Sequence, residues 1–178
     1  MKQRYQLLAF FTIFWSTLGL SNDFSLPLDI DNTKSGIKVS TVDLDDNRID
    51  DTVGLGVFFD IPHNDKLKVG SSLDFWQTVE RSRTDISITD ISAGVYAKAY
   101  FLHHSQELAP YAVAGSGFHH ILHDGANSTL THNELSFDVG GGFDMKINNF
   151  MALNGELKLR SIDNYDYTAV SVSVISRF

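Results

Sequence analysis

The chain has 178 residues, a formal net charge of -8 and no cysteine, which sets it at about one domain with no disulfide staples. An acidic chain lacks the clustered Lys and Arg that phosphate contacts need, so no nucleic-acid partner is expected. Its mean hydropathy of -0.09 is compatible with a soluble protein, and equally with a membrane barrel, where only one face of each strand must be apolar.

Residues 1–21 read as a secretory signal. Lys2 and Arg4 give a basic start, Leu7 to Trp15 an apolar run, and Gly19-Leu20-Ser21 a small-residue cleavage region. The apolar run is too short for a transmembrane helix. Its removal takes two bases and no acid, so the net charge falls from -8 to -10. Residues 22–35 are polar, carry a proline and show no period; they are read as an N-terminal arm. From Gly36 to Phe178, strand and turn signals alternate.

Gly36 to Leu44 is the first and weakest candidate strand. Asp43 to Asp51 is an acidic loop with five aspartates. It lacks the loop glycine and closing glutamate of an EF-hand, so it reads as solvated rather than calcium-binding. Thr52 to Ile61 sets Val53, Leu55, Val57, Phe59 and Ile61 on one face, and a tight turn is expected at Pro62-His63-Asn64-Asp65. Leu67 to Val79 alternates Leu67, Val69, Leu73 and Phe75 with Lys68, Gly70, Ser72 and Asp74. After a charged loop at 80–87, the fourth strand runs from Ile86 to Phe101. Its step from Ile88 to Ile91 breaks the alternation and predicts a bulge near Asp90.

Leu102 to Ala109 is a turn. Pro110 to Leu122 is a small, glycine-bearing strand of ambiguous facing, followed by a polar loop at 123–133. Glu134 to Ile147 has the clearest alternation: Leu135, Phe137, Val139, Phe143 and Met145 against Ser136, Asp138, Gly140, Gly142, Asp144 and Lys146. Asn148-Asn149 is a turn. Met151 to Ile162 sets Met151, Leu153, Leu157 and Leu159 against Asn154, Glu156, Lys158 and Arg160. A short loop at 163–166 precedes the last strand, Tyr167 to Phe178. There Val170, Val172 and Val174 alternate with Ala169, Ser171 and Ser173.

These are eight strands joined by hairpins, long enough to cross a bilayer at a tilt. The face opposite the apolar one carries Asp74, Lys98, Asp138, Asp144, Glu156 and Lys158 in mid-strand. In a membrane that face must turn inward, and the sheet must close because lipid forbids open edges. Charges inside an eight-stranded lumen must pair, since an unpaired buried charge costs several kcal/mol. Small residues on that face make room for Phe58, Trp76 and Tyr100. The fold expected is an all-β, eight-stranded antiparallel up-and-down transmembrane barrel over 36–178.

Three segments carry a family resemblance: P-Y-A-V-A-G-S-G-F at Pro110–Phe118, L-S-F-D-V-G-G-G-F-D-M-K-I at Leu135–Ile147, and L-N-G-E-L-K-L-R at Leu153–Arg160. With the terminal Phe178, they resemble the last four strands of the OmpA-like and opacity-protein outer-membrane barrel superfamily. The resemblance implies the Gram-negative outer membrane, periplasmic termini, and surface loops at 43–51, 80–87, 123–133 and 163–166. It implies contact with membrane lipid and lipopolysaccharide, and recognition of Phe178 by the outer-membrane assembly machinery. Host or surface ligands would meet the loops. Ser176 departs from the aromatic that many members carry at that place.

No catalytic constellation is expected. A His-x-Ser pair of the lipid A deacylase kind occurs only at His103 and Ser105, in a predicted turn. His119, His120, His123, Asp124 and His132 gather near one loop, with His119 and His123 on one face. Their spacing matches no recognised metal-ligand pattern, and rim histidines are the ordinary reading. No cofactor and no metal site is therefore assigned. The function expected is a structural or surface-interaction role around a polar, charged lumen. The alternatives are a narrow porin-like channel and a soluble periplasmic lipocalin-like barrel with its apolar face inward.

Overall fold

Alternation at period 2 places every second side chain on one side of a sheet, and a hydrogen-bonded sheet with no free edge must close. The computed structural model describes residues 33–44, 50–80, 83–125, 128–162 and 166–177. It is a closed barrel of eight strands in sequence order. They are β1 (Lys34–Leu44), β2 (Thr52–Asn64), β3 (Leu67–Glu80), β4 (Arg83–Tyr100), β5 (Leu108–Gly125), β6 (Ser128–Lys146), β7 (Met151–Ile162) and β8 (Asp166–Arg177). All neighbours are antiparallel, and β1 closes on β8 from Lys34↔Arg177 to Leu44↔Tyr167. The proposed signal at 1–21, most of the arm at 22–35, and Phe178 lie outside the described residues. β1 begins at Lys34, two residues before the expected start at Gly36.

The two faces separate as the alternation dictates. Ile37, Val39, Leu55, Phe59, Leu73, Phe75, Val95, Leu135, Val139, Leu157 and Val172 point outward and are exposed, up to 70% for Leu135. Asp60, Lys68, Lys98, Asp138, Asp144, Glu156, Lys158 and Arg160 point inward and are buried. A lipocalin-like barrel needs the reverse facing, so that alternative does not describe this chain. The ambiguous β5 resolves with Ala109, Tyr111, Val113, His119 and Ile121 inside.

Four local expectations are corrected. The β2–β3 turn has Asp65-Lys66 at its centre, two residues later than expected. Asn64 Oδ1 accepts from the backbone N–H groups of Lys66 and Leu67, both at 2.9 Å, and so closes the turn. Pro62 stays in β2 and has no N–H to donate, and the register shifts there between Pro62 and Asn64. No bulge occurs at Asp90, where β4 keeps regular register with both neighbours; the β3–β4 shift falls at Val79/Glu80. Ile88 simply faces inward. The loops expected at 80–87 and 123–133 are largely strand: β4 begins at Arg83, and β5 and β6 pair out to Gly125↔Ser128. Residues 129–133 are all exposed, and no buried face imposes alternation on them.

Barrel curvature demands close approach at a few wall positions. A Cβ on Gly70 would lie 2.6 Å from Tyr96 Cζ and 2.5 Å from the Phe59 carbonyl. A Cβ on Gly36 would run into the Phe58 ring. These glycines let inward rings lie flat against the wall.

Candidate functional site: the closed lumen

The lumen has a turn end, with the connections at 65–66, 101–107 and 147–150, and a loop end, with those at 45–51, 81–82, 126–127 and 163–165. Near the turn end, Lys68 Nζ lies 3.1 Å from Asp144 Oδ2 and donates to Tyr100 OH at 2.8 Å. Tyr100 in turn donates to the same carboxylate oxygen at 2.8 Å, and Asn154 Nδ2 donates to Asp144 Oδ1 at 2.9 Å. Tyr111 OH receives Asn154 Nδ2 at 2.6 Å and donates to Glu156 Oε2 at 2.8 Å. Lys158 Nζ completes the run, 3.0 Å from Glu156 Oε1. Each acid thus meets both a cation and a hydroxyl or amide, which is what a buried carboxylate requires.

A second unit crosses the barrel beside it. Lys98 Nζ lies 3.1 Å from Asp60 Oδ2, and Tyr96 OH donates to Asp60 Oδ1 at 2.5 Å. The ammonium also sits 5.1 Å from the ring centroids of Phe58, Tyr96 and Tyr111. The aromatic faces supply attraction where water is displaced. Lys38 pairs with Asp74 at 2.8 Å. Arg160 is bidentate on Asp138, Nε to Oδ1 and Nη2 to Oδ2 both at 2.6 Å, and its Nη1 donates to Tyr167 OH.

Toward the loop end, His119 Nδ1 lies 2.7 Å from Asp90 Oδ2 and His119 Nε2 lies 3.0 Å from Ser136 Oγ. The carboxylate can only accept, so Nδ1–H donates to it. The order Asp-His-Ser is that of a nucleophilic triad, but Asp90 and His119 are 0% exposed and Ser136 is 5% exposed. Above this rung Val42, Leu44, Trp76, Ile88, Ile121, Ile162 and Tyr167 form one buried apolar cluster. Trp76 meets Tyr167 edge to face with centroids 6.1 Å apart. These side chains cap the lumen.

All six ionisable residues expected mid-strand in the lumen, Asp74, Lys98, Asp138, Asp144, Glu156 and Lys158, do face inward and pair. The Asp90–His119–Ser136 rung and the cap were missed. Their parity was readable once β4 was taken as unbroken: 88, 90 and 92 share a face. The histidine group splits. His119 is taken up inside the lumen. His120 Nδ1 meets Asn133 Oδ1 at 2.7 Å on the opposite strand face. His123 and His132 meet edge to face, centroids 5.7 Å apart. Among the described residues no three His, Cys, Asp or Glu side chains converge as a metal site. The His-x-Ser pair does form a contact, Ser105 Oγ to His103 Nδ1 at 2.7 Å, in an exposed turn with Asp65 3.2 Å from His103 Nε2. In the same turn, partial burial and then the nearby Lys68 and Lys34 hold the His104 imidazole down at about 4.

A greasy exterior, a charged interior and complete strand closure define a membrane-spanning β-barrel. Residues 23–178 match the family of the outer membrane protein beta-barrel domain, and the chain belongs to that family. No curated protein sequence matches it. Among solved structures, Neisserial surface protein A superposes with a TM-score of 0.67 at 12% identity, covering 82% of this chain and 97% of that one. Ail, the attachment invasion locus protein of Yersinia pestis, gives 0.60 at 15%, covering 83% and 97%. OprG of Pseudomonas aeruginosa gives 0.60 at 14%, covering 82% and 93%. At these identities the likeness is one of fold.

Proposed function

We propose that the chain is an integral protein of the Gram-negative outer membrane, exported by residues 1–21, which are then removed. Its barrel serves as a sealed scaffold for a structural or surface-interaction role at the loop end. The family match begins at residue 23, directly after the signal. The apolar belt suits membrane lipid and lipopolysaccharide, the loops suit surface ligands, and Phe178 suits the assembly machinery.

The observation that carries this reading is the lumen. Ion pairs cross-link its middle and the Trp76 cluster caps it. A space of about 470 Å³ opens at the loop end beside Arg160 and Tyr167, while deeper in, the chambers beside the ion pairs hold about 30 Å³ at Asp74, Trp76 and Lys158 and about 10 Å³ between Phe58 and Lys98. That is room for a water or two, short of a conducting path. The same closure argues for a non-enzymatic protein, because Ser136 is buried on the inward face, 5% exposed.

Planar-bilayer recording of the folded protein tests this. A sealed scaffold gives no steady conductance, while its gel band shifts on boiling and fractionates with outer membranes. Steady sub-nanosiemens steps would replace this reading with the narrow channel. A fluorophosphonate that labels Ser136 in the folded protein would overturn the non-enzymatic reading.

A further inference from the structure

We propose that His123 and His132 form a two-imidazole site for a divalent transition-metal ion at the mouth of the barrel, binding copper(II) most tightly. The ladder sets the geometry. His132 stands opposite Ile121 and His123 opposite Leu130, so the two histidines are diagonal neighbours on one face of the β5–β6 hairpin. Side chains at such diagonal positions reach one another across a strand pair. Their ring centroids are 5.7 Å apart and their planes 88° apart. Two imidazoles sharing one ion through nitrogens at about 2.0–2.1 Å can hold their centroids no farther apart than roughly 6 Å. The pair is within that limit. The second side-chain torsion of histidine is broad, so both nitrogens can turn to one point without disturbing the ladder.

The surroundings favour a cation. Asp43, Asp51, Asp124 and Asp166 are exposed at the loop end. These carboxylates favour a cation over an anion near them. Beneath the histidines lies the apolar cap, with Ile121 opposite His132 and Ile88 opposite His123. Water approaches from one side only and fills the remaining coordination positions.

The other histidines do not compete for this role. His119 is bonded inside the lumen at both ring nitrogens, and His120 points to the opposite face toward Asn133. His63, His103 and His104 lie at the turn end. Imidazole suits copper, nickel and zinc, and the Irving–Williams order puts copper(II) first at a site of this kind. A ligating imidazole must be neutral, so binding weakens as pH falls.

The test titrates copper(II), nickel(II) and zinc(II) into the untagged full barrel folded in detergent, followed by calorimetry and by electron paramagnetic resonance of the copper form. The expected result is one copper(II) per barrel, a spectrum split by two imidazole nitrogens, and weaker nickel and zinc. H123A and H132A should each weaken copper by roughly 10- to 100-fold, at least the scale of second-shell losses. H120A and the H103A/H104A pair should leave it unchanged. Both hairpin substitutions lie beyond the β6–β7 pairing, and an unshifted unboiled gel band confirms that each variant is folded. A spectrum with fewer than two imidazole nitrogens in the unaltered protein overturns the proposal without any variant. Copper binding that survives H123A/H132A, or that disappears in H103A/H104A, overturns it as well.

Discussion

The two ends of this lumen are closed by opposite means. Toward the turn end, Lys68, Asp144, Lys98, Asp60, Glu156 and Lys158 interlock with tyrosine hydroxyls. Toward the loop end, Trp76, Ile88, Ile121 and Ile162 pack as an ordinary hydrophobic core. The ionic part is specific but gains little net stability, because desolvating each charge offsets most of its attraction. The apolar cap gains stability mainly by burial, and its polar atoms are few: the Tyr167 hydroxyl, which accepts from Arg160, and the buried Trp76 indole N–H. The fold therefore separates geometric specification from sealing, and Arg160 bridges them by holding Asp138 with one edge and Tyr167 with the other.

The comparison breaks most sharply at Lys98. Lys98→Met leaves Asp60 buried beside Tyr96 with no cation, and should cost about 3–5 kcal/mol. Denaturant unfolding followed by tryptophan fluorescence reads this directly. Trp15 and Trp76 are the only tryptophans, so in protein prepared without residues 1–21 the emission comes from the cap. Trp76→Ala removes that probe; followed by circular dichroism instead, it should cost about 3–4 kcal/mol through cavity formation. It should also admit iodide or water to the Asp90–His119 rung, seen as faster amide exchange there. Normal protection with a full stability loss would mean that the cap stabilises without sealing.

The belt supplies the control. Val172→Arg, on the outward face in the middle of β8, should cost about 2–4 kcal/mol in a bilayer. A negligible cost would argue that this face does not meet lipid. Removing both members of the lower pair sharpens the contrast. Lys98→Met with Asp60→Leu should recover most of the single-variant loss, within roughly 1 kcal/mol of the parent. No recovery would mean that Asp60 and Lys98 contribute more than mutual neutralisation.

The smallest effect expected is at His104. Its folded value of about 4 is below the ordinary 6.5. The unfolded chain therefore takes the proton first as pH falls. The contribution of this residue is full above pH 6.5 and is lost toward pH 4. His104→Gln should flatten the fall of the unfolding midpoint across that window. An unchanged slope would place the acid sensitivity elsewhere.

The sequence by itself determined the number of strands, their order and, outside β5, most of the residues that point outward. Period-2 alternation is a local property, and β6 and β8 carry it almost without fault. The family resemblance read from Pro110–Phe118, Leu135–Ile147 and Leu153–Arg160 agrees with the family match over residues 23–178. It also determined that Asp74, Asp138, Asp144 and Glu156 need cations, because a closed barrel leaves them no water. Only the tertiary structure decided which cation each one meets. Lys68 reaches Asp144 across 76 residues of sequence and Lys98 reaches Asp60 across 38. Those partners depend on barrel stagger and side-chain reach, which no single strand encodes. The same holds for the cap. Trp76 and Ile88 occupy positions whose parity was readable, unlike Ile121 in the ambiguous β5, but an inward apolar residue looks like a fault in the pattern until strands from around the barrel bring such residues together. The polar stretch at 123–133 remained illegible for the converse reason: its β6 side, 129–133, is exposed throughout, and no buried face imposes alternation there.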